Sequence, residues 1–193
     1  MDLFWEYVIF NRALKVLIIT NGLVLVAGAM LGPIYALFVE DMGGSLLEAS
    51  ITGGIFSLAA GLTTFLAGRY SDRVRHESLI VSFAYLMMGI GFMLYLFVNS
   101  FIFLLFVQVI IGFSEALYVP AFDSLYTRHV SRSKAGRQWG VYEAMNYLTT
   151  ALGAMLGGVL VTLTGGFSAI FISMGILCFL SSAYLYHLPR KVL

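Results

Sequence analysis

Acids and amides that lie within long apolar segments are the residues of this sequence with the clearest chemical potential. Gln108 and Glu115 are seven residues apart, so in a helix they share one face. Glu143, Asn146 and Thr150 follow at spacings of three and four residues and form a second polar stripe. A carboxyl group in such a setting carries a proton, meets a cation or takes part in hydrogen bonds. We therefore expect Glu115 and Glu143 to be proton-carrying or substrate-binding acids, with a structural interhelical hydrogen bond as the alternative for each.

Other chemistry is not expected from this sequence. The three histidines, His76, His129 and His187, lie at the ends of apolar segments. Cys178 is the single cysteine, which excludes a disulfide or a zinc framework within one chain. There is no phosphate-binding loop and no visible pair of nucleophile and base. With a formal net charge of +1, we expect no enzyme activity, no metal or other cofactor, and no nucleic-acid partner.

The elements that must position these residues are long and apolar. The chain has 193 residues, of which 60% are hydrophobic and 11% charged, against roughly 25% charged in soluble domains. A membrane-spanning helix needs about 20 mostly apolar residues, and six such segments are present, at about 13–38, 48–68, 78–98, 101–126, 138–163 and 167–187. We therefore predict an all-α membrane protein with one transmembrane domain over 13–187. Residues 1–12 and 188–193 flank it at the N- and C-terminus.

The basic residues predict the orientation of these spans. All of them lie near the N-terminus, in or beside the second and fourth connections, or at the C-terminus: Arg12, Lys15, Arg69, Arg73, Arg75, Arg128, Arg132, Lys134, Arg137, Arg190 and Lys191. The first connection and its edge carry Glu40, Asp41 and Glu48 instead. Because Lys and Arg stay on the cytoplasmic side, we predict a multi-pass protein of the cell (inner) membrane with both termini in the cytoplasm.

Spans 1 and 4 share a feature that indicates an internal repeat. Each contains one proline late in the span, Pro33 or Pro120, and each has a carboxamide twelve residues earlier, Asn21 or Gln108. Equivalent features three spans apart predict two three-helix repeats, and since three is odd, the second repeat is inverted relative to the first. The alternative is a coincidence of two features.

Small and large residues are unevenly distributed among the other spans. Span 2 has Gly54, Gly61 and Gly68 at intervals of seven, and span 5 contains Gly140, Gly153, Gly157 and Gly158. Small residues let helices approach closely in lipid, so we expect these two spans to form contacts with a partner. Spans 3 and 6 are rich in aromatic residues, which we interpret as lipid-facing.

Two of these patterns resemble motifs of a known family. Gly68-x-x-x-Asp72-Arg73 is similar to the loop signature that joins helices two and three in the major facilitator superfamily. The glycines of span 5 resemble the family's glycine-rich fifth helix. There are departures, since Arg75 stands where the family loop has glycine, Ala154 replaces a usual proline, and Gln108 stands where many members have arginine.

The resemblance implies a fold and a function. Family members normally have twelve spans in two six-helix halves, and this chain corresponds to one half. It implies a half-size secondary transporter that moves a small solute by alternating access as a parallel homodimer, with Asp72 and Arg73 holding a cytoplasmic gate. The central cavity would be lined by spans 1 and 4, with Asn21, Tyr35, Gln108, Glu115 and Tyr118 as its polar residues. The alternatives are a non-transporting membrane scaffold or assembly protein and one half of a heterodimeric transporter. The substrate is unknown.

Overall fold

The computed structural model describes residues 10–71 and 76–189, and within them the regular structure is helical. Six helical segments are long and apolar enough to cross a membrane, which confirms the predicted number of spans. Their bounds are span 1, Arg12–Asp41; span 2, Leu46–Ser71; span 3, Glu77–Phe97; span 4, Phe101–His129; span 5, Arg132–Thr164; and span 6, Ser168–His187. Most spans extend a few residues beyond the apolar segments that define them in the sequence.

Polar side chains at the ends of the apolar segments fix the starts of spans 1 and 2. The Asn11 side chain accepts a hydrogen bond from the Leu14 N–H at 2.8 Å and begins span 1. At span 2, the Glu48 carboxylate accepts from the Ser45 N–H at 2.7 Å, while the Glu48 N–H donates to the Ser45 hydroxyl at 3.3 Å. These reciprocal bonds are a capping box, which satisfies backbone groups that a helix start leaves free.

Proline disturbs spans 1 and 4 differently. Span 1 is an α-helix over Arg12–Leu31, a 3-10 turn over Gly32–Ile34 that contains Pro33, and a short α-helix over Tyr35–Asp41. Span 4 stays α-helical through Pro120. Each proline nevertheless removes one bond from the backbone ladder.

The packing of the spans follows one pattern twice. Span 1 packs on spans 5 and 6, and span 4 packs on spans 2 and 3, while spans 3 and 6 pack on each other. This set of contacts stays the same when span 1 is exchanged with span 4, span 2 with span 5, and span 3 with span 6. The exchange relates the first three spans to the last three, which confirms the two inverted repeats.

Contacts between distant residues define two ends of the bundle. Asn11 donates to the His129 carbonyl at 3.1 Å, which joins the start of span 1 to the end of span 4. We call this the basic end, because the basic residues of the described part lie at or near it. At the other end the Phe38 ring packs against Phe167 and Phe171, with centroids 5.4 and 5.0 Å apart. We call it the acidic end, after Glu40, Asp41 and Glu48.

Spans 2 and 5 are the least buried. Within the most apolar part of each span, 11% of span 2 and 17% of span 5 is buried, against 44–50% for the other four spans. Each of the two packs mainly on one neighbour, span 2 on span 4 and span 5 on span 1. Their remaining faces carry large exposed apolar side chains, including Leu58, Phe65, Leu148 and Met155.

The glycines of span 5 correct one expectation about that span. Gly153 and Gly157 are buried, and a Cβ atom on either would collide with a backbone carbonyl of span 1, that of Val26 or Met30. These glycines therefore bring spans 1 and 5 of the same chain together, rather than contacting a partner. Gly140 and Gly158 of span 5, and Gly54 and Gly61 of span 2, have open space where a Cβ would lie.

The interpretation of spans 3 and 6 as lipid-facing is wrong for much of their aromatic content. Tyr85, Phe92, Tyr95 and Phe171 are each no more than 5% exposed and belong to the core. The two spans pack on each other, and the hydroxyls of Ser82 and Ser182 donate to each other's carbonyl at 2.9 and 2.7 Å. Aromatic side chains are large enough to fill the middle of the bundle as well as its lipid-facing surface.

Candidate functional site

A cavity of about 440 Å³ lies between spans 1 and 4. Its wall has six residues with polar side chains: Tyr35, Tyr95, Gln108, Glu115, Tyr118 and Thr150. The rest of the wall consists of glycine and apolar residues: Val24, Leu25, Gly28, Ala29, Leu31, Gly32, Gly53, Phe56, Met88, Phe92, Ile111 and Met174. The cavity is thus mostly apolar, with a few polar groups, which is the usual character of a small-molecule site.

A chain of hydrogen bonds crosses one part of the wall. The Gln108 amide donates from Nε2 to the Tyr35 hydroxyl at 2.6 Å, and Tyr35 is 2.7 Å from the Thr52 hydroxyl. Tyr95 donates to Gln108 Oε1 at 3.3 Å. These bonds tie spans 1, 2, 3 and 4 together, and they hold the Gln108 side chain, which is 5% exposed, in one orientation.

Asn21 lies behind the wall rather than on it. Its side chain is 2% exposed, accepts from the Tyr85 hydroxyl at 3.3 Å and donates to Asn146 Oδ1 at 3.5 Å. The amide therefore links spans 1, 3 and 5. This corrects the expectation that it lines the cavity, because its hydrogen-bonding groups are directed at neighbouring helices.

Glu115 is the only carboxylic acid among the residues that line the cavity. It is half-buried, and in the part of the chain that the structure describes no hydrogen bond or ion pair holds its carboxyl group. Tyr118, one helical turn away, is near enough to interact with it electrostatically. Counted from Phe101, Glu115 is about 21 Å along the helix axis at 1.5 Å per residue. A carboxyl group at that depth, aimed into a cavity without a partner, is available to a proton or a cationic ligand.

Other predicted residues lie elsewhere. Glu143 is exposed on span 5 and is not part of the wall, although Thr150 of the same stripe is. Gly68 lies in the helix of span 2. Asp72 and Arg73, which complete the predicted gate motif, lie outside the described residues.

An ion pair at the basic end, between a buried acid and an exposed arginine, was not anticipated from the sequence. Glu77, with a side chain that is 1% exposed, accepts from Arg128 at 2.8 Å and from the Ser124 hydroxyl at 2.8 Å through the same oxygen, Oε1. It joins the start of span 3 to the end of span 4. In the sequence, Glu77 directly precedes the predicted start of span 3 at residue 78, and the charge rule for topology already explained Arg128, so no spacing pattern linked the two residues.

Comparison with known families identifies the group to which this architecture belongs. A model of the Major Facilitator Superfamily matches residues 17–192, nearly the whole chain. This chain belongs to the major facilitator superfamily. The cavity between spans 1 and 4 therefore lies in a six-span unit of a superfamily protein.

Individual relatives are distant. The MFS-type transporter MJ1560 of Methanocaldococcus jannaschii is 25% identical over 149 residues, which is 76% of this chain and 38% of that protein. The multidrug resistance protein MdtG of Erwinia billingiae is 21% identical over 93% of this chain and 44% of its own length. The MFS-type transporter YitZ of Bacillus subtilis is 28% identical over 69% of this chain and 81% of its own length. The chain thus spans about two fifths of the first two relatives.

Proposed function

We propose that this chain is one half of a secondary active transporter, which moves a small solute across the cell membrane by alternating access. The second half is another copy of the same chain, related to the first by a two-fold axis along the membrane normal. The chain's membership of the superfamily supports transport, and the name of one relative, a multidrug resistance protein, supports an organic solute.

The observation that carries this proposal is the exposure of one side of the bundle. The cavity lies between spans 1 and 4, and the two least buried spans, 2 and 5, flank it. Glu115, at a position where a charge costs about 2.5–3.5 kcal/mol on the insertion scale, has no partner within the described part of the chain. A second copy placed over this side covers the flanking spans and encloses the cavity.

The charge distribution supports a parallel arrangement. Every copy obeys the same rule for basic residues, so the basic ends of both copies lie on one side, the cytoplasm. Both termini are cytoplasmic in this arrangement. A closed two-fold pair needs only one self-complementary surface, which is the commonest form of homo-oligomer.

The side-by-side arrangement of the spans predicts which helices of the two copies meet across the two-fold axis. Spans 2 and 5 lie at opposite edges of the open side, since span 2 packs on span 4 and span 5 on span 1. Rotation by 180° about an axis in front of that side brings span 2 of one copy against span 5 of the other. Span 2 does not meet its own counterpart.

Disulfide cross-linking between copies tests this arrangement. Two variants of the Cys178→Ala protein, Gly61→Cys and Tyr147→Cys, are co-expressed with different tags and oxidised in membranes. Gly61 is 15 residues from the acidic end of span 2 and Tyr147 is 17 residues from that end of span 5, so the two positions lie at similar depth. We expect a covalent dimer that carries both tags, and little dimer from either variant alone.

The control replaces Gly61 by its neighbour. Leu62 is exposed but faces a groove against spans 3 and 4, on the side away from the cavity. Leu62→Cys with Tyr147→Cys should give much less mixed dimer. Equal cross-linking from both pairs contradicts the predicted contact between span 2 and span 5, and no cross-linking from either pair contradicts the homodimer. Capture of a different protein instead indicates a heterodimer.

A membrane scaffold with the same fold is the alternative function. A scaffold buries its polar groups in pairs, as Asn21 does with Tyr85. The free carboxyl group of Glu115 on a cavity wall favours a binding function over that role.

A further inference from the structure

We propose that the cavity between spans 1 and 4 binds an amphipathic organic cation, with its charged group beside Glu115 and its apolar part against the aromatic and thioether side chains of the wall. This inference rests on the proposed transporter function and names the class of solute. It comes from the chemistry of the wall.

The only charge that the cavity wall can carry is negative. Glu115 is its one acidic residue, and none of its residues is basic. An anionic solute would meet the carboxylate with no cation to balance it, whereas a cation would neutralise it. A neutral solute would leave the charged form of this carboxyl group desolvated without a counter-charge.

The basic side chains of the described chain do not reverse this balance. Arg12, Lys15, Arg128, Arg132, Lys134 and Arg137 lie at or near the basic end, and none lines the cavity. The Arg128 charge is opposed by Glu77 at 2.8 Å. On the same side of the cavity, Asp123 and Glu143 are close enough to interact and add negative charge. Glu115, the one charged residue of the wall, therefore sets the local preference for a cation.

The rest of the wall matches the apolar part of such a solute. Tyr35, Phe56, Phe92, Tyr95 and Tyr118 present aromatic rings, whose faces attract cations. Met88 and Met174 add flexible thioethers, which adapt to irregular shapes. The volume of about 440 Å³ in a single copy lies within the range of about 300–1,000 Å³ that drug-sized ligands occupy.

The test compares two probes of similar size and shape but opposite charge. Tetraphenylphosphonium and tetraphenylborate are each equilibrated with the protein in nanodiscs, and binding to empty nanodiscs is subtracted. We expect saturable binding of tetraphenylphosphonium alone. Glu115→Gln should weaken that binding about tenfold or more, which is about 1.4 kcal/mol, because the phosphonium loses the opposite charge of the carboxylate. Glu115→Asp should restore most of the binding.

The matched control is Asp41→Asn, which removes one negative charge on an exposed residue at the acidic end, outside the cavity. It should bind tetraphenylphosphonium as the parent does. Preferred binding of tetraphenylborate, or unchanged binding of the cation to Glu115→Gln, overturns the cation assignment. Because binding is measured without transport or cross-linking, such a result leaves the transporter proposal standing. Loss of the mixed cross-link with cation binding intact counts against the homodimer alone.

Discussion

Glu77 is an ionisable side chain held in place at the basic end. Its carboxylate is buried, and one of its oxygens accepts hydrogen bonds from both Arg128 and Ser124. The other oxygen, Oε2, has no hydrogen-bond partner among the described residues. Arg128 is 58% exposed, so the pair is one-sided, with a buried acid that depends on an arginine reaching in from the surface.

Removing the arginine should therefore harm the protein more than removing both charges. We predict that Arg128→Met lowers the thermal unfolding temperature in detergent, because a buried acceptor that loses its partner costs about 1–3 kcal/mol. The double variant Glu77→Gln, Arg128→Met should recover part of the loss, since no buried charge remains. If the loss of stability in the double variant, relative to the parent, equals the sum of the losses in Arg128→Met and Glu77→Gln alone, the two residues are not coupled.

At the scale of single residues, the sequence predicts which polar residues line the cavity better than it predicts which residues they bond to. Gln108, Glu115 and Tyr35 stand out because polar groups are rare within apolar segments, and the structure places all three on one cavity. The bond from Gln108 to Tyr35 joins residues 73 positions apart. Such a partner depends on how spans 1 and 4 meet, and no local spacing encodes that.

At the scale of the helix pair, glycine determines how closely spans 1 and 5 approach. A Cβ on Gly157 would collide with the Met30 carbonyl, whereas a Cβ on the adjacent Gly158 would meet open space. The two glycines are neighbours in one helix, so they form a natural comparison.

We predict opposite effects of the same substitution at these two positions. Gly157→Ala should lower the thermal unfolding temperature, because backbone atoms must separate to admit a methyl group. Gly158→Ala should leave the temperature unchanged or raise it, since alanine favours a helix by about 1 kcal/mol over glycine. Equal shifts for the two variants, measured in the same detergent, would contradict this account of the span 1–span 5 contact.

The sequence indicates close approach but does not identify the helix that approaches. Of the four glycines singled out in span 5, Gly153 and Gly157 form close contacts, and they form them with span 1 of the same chain, whereas Gly140 and Gly158 face open space. A glycine shows only that a helix has no side chain at that position. Any neighbouring helix, from the same chain or from a partner, could approach it there. The aromatic residues of span 3 are equally ambiguous, since a Tyr or Phe fits both a core and a lipid-facing surface.

For the whole molecule, the strongest sequence signals are the apolar lengths and the segregation of charge. The number of spans and the inverted repeats follow from them and from the paired prolines, and both are confirmed. The contact pattern adds that the repeats are interleaved, because span 1 packs on spans 5 and 6 of the other repeat. Sequence spacing cannot reveal this, since it describes one repeat at a time.

Chemical labelling of intact cells measures the orientation of the whole bundle. In a Cys178→Ala background, Asp41→Cys should react with an impermeant thiol reagent added outside, and Ser133→Cys should not. Both positions are exposed and lie at opposite ends. Asp41 is a better site than Ser45, whose hydroxyl caps span 2. Labelling of Ser133→Cys alone would show that the orientation is the reverse of the predicted one. Permeabilised cells, in which both sites should react, serve as the control.

The two prolines give the cavity an uneven stiffness. Pro33 lies near the acidic end of span 1 and Pro120 near the basic end of span 4, so each wall of the cavity has one weakened point, at opposite heights. A helix that lacks one backbone bond bends more readily at that place. We therefore expect a bend at Pro33 to move the acidic end of span 1 and a bend at Pro120 to move the basic end of span 4, so that the two ends of the bundle can move separately.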